Sequence, residues 1–464
     1  MHRTVVINVV GLTGKLLGPH TPNLNRFAGQ GVRVPIRTIT PAVTCSVQAT
    51  FLTGLMPRDH GIVGNGWYFR DLAQVWLWRQ SNHLVEGEKI WDSARRRDAR
   101  FTCAKMFWWY NMYSGADFSV TPRPLYPADG RKIADIYSEP ADLSDRLKAE
   151  IGEFPFFHFW GPQADILSSE WIAESSIRTF DWHSPTLSLI YLPHLDYNLQ
   201  RLGPDHPSIS LDVQAIDKVC GKLIAHFQNA GARIVVLSEY GITSVTGPIH
   251  INRVLRQAGF IRVRPELGLE VLDPGASPAF AVADHQIAHV YVNDKSKLSD
   301  VKKLLESTPG IEQVLDEQGK NEIGLDHPRA GDLVAIASAD KWFTYYYWLN
   351  DAVAPDFART VDIHRKPGYD PAELFIDPAL TFPKLKIGRI LLKKILGFRY
   401  LMNVIPLDAG LVKGSHGRIT DNPADGPVFI SSEKATVEAE ELPATAVKDV
   451  LLRHIFDHVP ATYR

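Results

Sequence analysis

Three short, almost continuously apolar runs constrain this chain more than any other feature: Thr4–Val10, Thr186–Leu192 and Arg233–Leu237. A strand with one face in water alternates apolar and polar residues. A strand that does not alternate is covered on both faces, as in a parallel sheet between two helical layers. Each run passes directly into polar, glycine-containing sequence, and ligands of open α/β sheets sit at those carboxyl ends. Helical patterns fill the intervals at Pro22–Gly29, Val47–Leu55 and Leu211–Ala230, the last followed by Gly231 at a C′ position. The expectation is an α/β fold with a mostly parallel sheet flanked by helices.

At 464 residues the chain is long for one domain and leaves room for inserted parts. The stretch from Gly66 to about His183 holds most of the tryptophans, among them Trp67, Trp76, Trp78, Trp91, Trp108 and Trp109. It reads as an insertion capping the active face of the sheet; the competing reading is a second hydrophobic core, where aromatic clusters are commonest. Residues 250–335 read as a small subdomain, with Gly331-Asp332-Leu333-Val334 expected to return to the main sheet. Lys384–Pro406 mixes Lys384, Lys386, Arg389, Lys393 and Lys394 with Ile, Leu and Phe. A packed helix with snorkelling lysines is the first reading of it, and peripheral contact with a membrane through 384–406 the second.

Composition excludes several classes. Hydrophobic content of 45%, charge of 22% and a net charge of −2 describe a globular chain with no electrostatic footprint for nucleic acid. Cys45, Cys103 and Cys220 form no CxxC pair, so a thiolate metal site or disulfide framework is not expected. Val5–Val10 is too short for a signal peptide, and no apolar stretch reaches the roughly 18 residues of a membrane span. A cytoplasmic enzyme is the default expectation.

Some of the chemistry-bearing segments follow the predicted strands; others do not. Thr44 opens a helical pattern just after Pro41, and Asn65 closes His60-Gly61-Ile62-Val63-Gly64-Asn65 further on. A helix N-terminus supplies free amides and positive potential to an anion, although a threonine there is ordinarily only a cap. Asp196 and Gln200 lie in Asp196-Tyr197-Asn198-Leu199-Gln200-Arg201-Leu202-Gly203-Pro204, after the second apolar run. Ser238-Glu239-Tyr240-Gly241 follows the third run, and Gly414-Ser415-His416-Gly417 comes late. Val9-Val10-Gly11-Leu12 ends the first run, followed by Thr21-Pro22-Asn23-Leu24.

Together these segments resemble the nucleotide pyrophosphatase/phosphodiesterase branch of the alkaline phosphatase superfamily, over roughly residues 4–65, 186–260 and 330–420. The resemblance implies an alkaline-phosphatase-like core and one or two divalent ions, Zn, Mn or Mg. It implies Thr44 as nucleophile and Asn65 as donor to a phosphate oxygen. One metal site would use Asp196, His416 and Gln200, the last where the family has His. The other would use Thr44 and Glu239, with Tyr240 where the family has His and Val10 where it has Asp. Asn8 lies two residues deeper on the same face of the strand. Zinc prefers imidazole, thiolate and carboxylate, and this mixed set suits Mg or Mn as well.

Other residues are candidates to compensate. Val361-Asp362-Ile363-His364-Arg365-Lys366 puts Asp362 and His364 on one side if it is a strand, with Arg365 and Lys366 available to an anionic substrate. His194 is a further ligand candidate, and His20, His285 and His289 are lesser ones. The expected function is metal-dependent hydrolysis or transfer at a phosphodiester, pyrophosphate or phosphonate, acting on a small-molecule phosphoester. The alternative is a catalytically diverted member of the superfamily that binds an anionic ligand, for which Val10 and Tyr240 argue.

Overall fold

The computed structural model describes residues 1–437 and 439–457. Its centre is a nine-stranded sheet. In spatial order the strands are Leu442–Pro443, Val32–Arg37, Val428–Ser431, Arg233–Leu237, Thr4–Val9, Leu187–Leu192, Cys103–Met106, Phe118–Pro122 and Ile136–Glu139. The first strand pairs in parallel with both of its neighbours, so Asn8 lies between Tyr191 and Leu237. The middle strands are buried along their whole length except at Arg233, which is the cause of their unbroken apolar sequence.

The helices fall close to their predicted limits: Pro22–Gln30, Thr44–Thr53 and Ile209–Asn229. Gly231 takes φ +72° just beyond the last of them, the left-handed conformation that a Cβ penalises. The second helix begins three residues earlier than its apolar pattern suggests. Thr44 is therefore its first residue, with Val43 as N-cap and Gly54 (φ +73°) closing its other end.

Two expectations about organisation change. The stretch 66–183 supplies three strands of the central sheet, and Trp91 and Trp108 pack in the core of that sheet. Only part of it, including Trp76 and Trp78, forms a wall over the carboxyl ends. A tryptophan-rich composition is the same in either setting, so it could not divide the stretch. Leu333–Ala337 does not return to the main sheet. It joins a separate four-stranded antiparallel sheet with Ala279–Asp284, Ile287–Val292 and Ile311–Leu315. That sheet has its own core, with Phe280, Tyr291, Trp342 and Trp348 fully buried. A buried strand reads the same whichever sheet covers it. Among the described residues no helix is long and apolar enough to cross a membrane.

Arg201 ties the parts around the carboxyl ends together. It sits on the helix His194–Leu202, which follows the strand Leu187–Leu192. Its guanidinium donates to the carbonyls of Gly161, Ala164 and Leu374 and to Asn198 Oδ1, at 2.9–3.0 Å. The planar fork of arginine ties its own helix to two other segments, at 161–164 and at Leu374, which a lysine ammonium on a single stem cannot. Arg201→Ala leaves three carbonyls without their charged partner and should cost about 3 kcal/mol in urea unfolding, with Arg201→Lys recovering less than half. A loss below about 0.5 kcal/mol would mean the clasp contributes no more than an ordinary surface contact.

Candidate active site

Four segments deliver side chains to one end of the central sheet. Thr44 stands at the start of its helix, Asp196 in the first turn of His194–Leu202, and Glu239 and Tyr240 just after Arg233–Leu237. His416 follows the two-residue strand Gly414–Ser415. All except Asp196 are almost fully buried.

The hydroxyl of Thr44 lies 3.1 Å from the Tyr240 hydroxyl. Tyr240 donates onward to Asp196 Oδ1 at 3.3 Å, so the Thr44 proton has a path to a carboxylate. Gln200 Nε2 donates to the other Asp196 oxygen at 2.7 Å, and Tyr369 donates to Gln200 Oε1 at 3.0 Å. Burial raises the Asp196 carboxyl to about 7, against the hydrogen bonds from Gln200 and Tyr240. Glu239 is held by neutral groups: Asn8 and Gln48 both donate to its Oε1 at 2.6 Å. Burial raises its carboxyl to about 8, and Oε2 has no hydrogen-bond partner among the described residues.

The imidazoles form a second layer. His416 Nδ1 is 2.8 Å from the Ala42 carbonyl, so Nδ1 carries the proton and Nε2 is left as an unpartnered acceptor. The ring lies flat against Tyr240, centroids 3.6 Å apart, and meets His285 at 3.7 Å with the planes tilted by 40°. His285 stacks in turn on Tyr369 and bonds to Asp284 through Nδ1. Burial lowers the pKa of both imidazoles far below the usual range, which makes them neutral acceptors.

Asn65 is fixed from three sides. Its Oδ1 accepts from the Cys45 amide, and its own backbone and side-chain N–H groups donate to Asp284. It is 1% exposed and does not line the cavity described below, so one Nδ2 hydrogen is all it has left for a phosphate. Asp284, invisible as a site residue in the sequence, organises both Asn65 and His285.

Several candidates lie elsewhere or are already engaged. Residues 361–371 form turns rather than a strand, so Asp362 and His364 do not share a strand face. His364 does line the cavity. Arg365 is exposed, with Asp356 as its ion-pair partner, and Lys366 is buried between Asp370 and Glu373 at 2.7 and 2.8 Å. Neither lines the cavity described below. His194 is buried 3.3 Å from Asp212, His20 meets Gln214, and His289 bridges Val63 and Gly331. The cations that do line the cavity are Arg79, Arg123 and Lys132, none of which carries a motif.

The donor set does not fit the metal centre that the resemblance implies. Among the described residues no group of three or more His, Cys, Asp or Glu side chains is placed to hold an ion. Val10 offers carbon, Tyr240 a phenol whose pKa burial raises well above 10, and Gln200 points its N–H at Asp196. What remains is Asp196 with His416 Nε2, 3.9 Å apart, and the carboxylate of Glu239, which is not grouped with them. Zinc centres draw on three or four protein ligands.

A cavity of about 730 Å³ opens over Thr44, Asp196 and Tyr240. Trp76, Trp78, Trp109, Trp160, Phe159 and Tyr369 make up much of its wall. Its size matches sites for small organic ligands.

Glu239 yields a prediction with a definite sign. Its folded pKa of about 8 lies above the ordinary 4.5, so the folded state keeps a proton that the unfolded state releases. Its cost to stability is absent below about pH 4.5, grows through the interval and is complete above about pH 8. Glu239→Gln keeps the shape and removes the titration. It should gain on the order of 2–4 kcal/mol above pH 8 by calorimetry and nothing at the acid end. A variant less stable than the parent above pH 8 would mean that a cation holds the charged carboxylate.

Comparison with known proteins agrees with the fold and the segment order. The chain is 27% identical to an uncharacterised pyrophosphatase/phosphodiesterase of Schizosaccharomyces pombe over 250 residues, 51% of this chain and 42% of that protein. It is 23% identical to a bis(5′-adenosyl)-triphosphatase of Xenopus laevis over 229 residues, 48% of this chain and 42% of the relative. The matches thus span less than half the length of these curated relatives. In structure, the chain resembles murine ectonucleotide pyrophosphatase/phosphodiesterase 5, solved in an inactive form with AMP, at TM-score 0.60 and 15% identity. That likeness covers 100% of this chain and 97% of the other. Phosphonoacetate hydrolase from Sinorhizobium meliloti 1021, solved with phosphonoformate, aligns at TM-score 0.63 and 15% identity over 98% of this chain and 96% of that one. At such identity these likenesses concern the fold. The sequence profile described as type I phosphodiesterase/nucleotide pyrophosphatase matches residues 4–370, and the chain belongs to that family of enzymes.

Proposed function

We propose that this chain cleaves or transfers a phosphorus-centred ester, a phosphodiester, pyrophosphate or phosphonate, with Thr44 as the nucleophile. One observation carries the reading: the line from Thr44 through Tyr240 to Asp196. A threonine hydroxyl is a weak nucleophile, and one way to activate it is a base that takes its proton. Asp196, titrating at about 7, is matched to that task near neutral pH. The start of the helix Thr44–Thr53 directs positive potential at the same point.

The steps balance without a resident ion. The Thr44 Oγ–phosphorus bond forms as the bond from phosphorus to the leaving oxygen breaks, and the hydroxyl proton passes through Tyr240 to Asp196. Water or an acceptor alcohol then attacks phosphorus and the bond to Thr44 breaks. The proton on Asp196 returns to Thr44, and the proton of the attacking hydroxyl neutralises the leaving-group anion. The aromatic walls and the cations Arg79, Arg123 and Lys132 suit an anionic ester with a flat organic group. The AMP complex of the murine relative and the phosphonate complex of the bacterial one support ligands of this kind.

A second reading rests on Tyr240, standing where the resemblance implies His, lying flat on His416. On that reading the pocket binds an anionic aromatic ligand without turnover. The test is a panel of aryl phosphodiester, pyrophosphate and phosphonate substrates. Thr44→Ala should reduce turnover at least about 10³-fold, and Tyr240→Phe by about 10²-fold or more, with unfolding of both variants nearly unchanged. Full activity in Thr44→Ala would refute the nucleophile. No turnover of any class, with anion binding retained, would favour the binding reading.

A further inference from the structure

We propose that Phe382–Leu401 is a docking element that lies on the surface of an anionic lipid bilayer. The segment contains the helix Pro383–Ile395, of whose residues only Ile390 is buried. A packed helix with snorkelling lysines, the first reading of the sequence, would bury an apolar stripe; this one turns its stripe outward. Leu385, Leu392, Ile395 and Leu396 recur at i, i+7, i+10 and i+11 and so share one face, opposite Ile390. They are 72%, 54%, 80% and 62% exposed. Phe382 precedes the helix at 70% exposure and Phe398 follows it at 64%. Scattered surface leucines need no explanation, but a contiguous apolar face of this kind does.

The charge pattern identifies what covers that face. Lys384, Lys386, Arg389, Lys393, Lys394 and Arg399 lie within the segment, and no acidic residue occurs between Asp377 and Asp408. Among the described residues none of these six cations makes an ion pair. Arg389, Lys393 and Lys386 flank the apolar face along one side of the helix. An apolar face edged by cations matches the boundary between anionic headgroups and acyl chains. A second copy of the chain set against the same face would bring its own six cations to meet these six, and like charges oppose that pairing. The chain as a whole carries a net charge of −2, so the attraction is confined to this segment.

The element is anchored where the catalytic wall ends. Ile387 and Met402 pack on Ala372, Val404 and Ile405, and Lys386 Nζ donates to the Asn403 carbonyl. Ala372 stands three residues beyond Tyr369, a residue of the cavity wall. The exposed face itself takes no part in that anchor, so changes on it leave the fold and the cavity in place.

Co-sedimentation of the full chain with phosphatidylcholine vesicles, with and without phosphatidylserine, tests the proposal. Binding should be at least roughly tenfold tighter with phosphatidylserine and should weaken as salt rises. Leu392→Glu with Ile395→Glu should abolish it, and Lys393→Ala with Lys394→Ala should weaken it several-fold, both pairs retaining the parent's circular dichroism and melting. Equal binding to both vesicle types, no binding to either, or binding unaffected by both variants would overturn the proposal. So would a dimer in analytical ultracentrifugation that Leu392→Glu with Ile395→Glu dissociates, since a second copy would then be the occupant.

Discussion

Two carboxylates, the buried Glu239 and the half-buried Asp196, stand at the carboxyl ends of a parallel sheet without a lysine or arginine beside them among the described residues, and the arrangement around them follows from that. An ionised carboxylate loses most of its hydration in such a place. The chain meets the cost with neutral donors: Asn8 and Gln48 for Glu239, Gln200 and Tyr240 for Asp196. These hydrogen bonds only partly offset burial, and both groups titrate between about 7 and 8. At neutral pH such carboxyls exchange protons readily. Phosphoryl transfer needs charge compensation and a destination for a proton. This site is equipped for the second through side chains, and for the first through a helix terminus and the cations of the cavity wall.

Much of this was legible in the sequence because burial leaves a direct mark on composition. The strand Arg233–Leu237 matches its predicted limits, and Thr4–Val9 and Leu187–Leu192 differ from theirs by one residue each. Asp196, Glu239 and Tyr240 stand after predicted strands, Thr44 and His416 come from the family resemblance, and the five converge at one end of the sheet. What stayed hidden were relations between distant segments. Nothing near Asp284 indicates that it holds Asn65, 219 residues away. Nothing near Tyr369 indicates that it supports Gln200, 169 residues away. The pairing of Arg365 with Asp356, and of Lys366 with Asp370 and Glu373, is a tertiary fact that the sequence around them does not carry. The two readings of 384–406 differed only in which face the helix buries, and composition is the same in both.

The substitutions in the site form a set. Val10 removes a charged donor, and the amide of Asn8, one turn of the pleat deeper, reaches Glu239 instead. Tyr240 puts a phenol between nucleophile and carboxylate, and Gln200 fixes that carboxylate from its other side. Each change is compatible with the other two, and none supplies the imidazole or carboxylate that the resemblance implies at its position. Each carboxylate has two neutral donors and no cation beside it among the described residues.

Elemental analysis of the purified protein, coupled to turnover of bis-p-nitrophenyl phosphate before and after exhaustive chelation, tests the central claim most directly. The account predicts no stoichiometric metal and a rate unchanged by the chelator. A bound divalent ion whose removal abolishes turnover, and whose return restores it, would contradict a site built on the Thr44–Tyr240–Asp196 line.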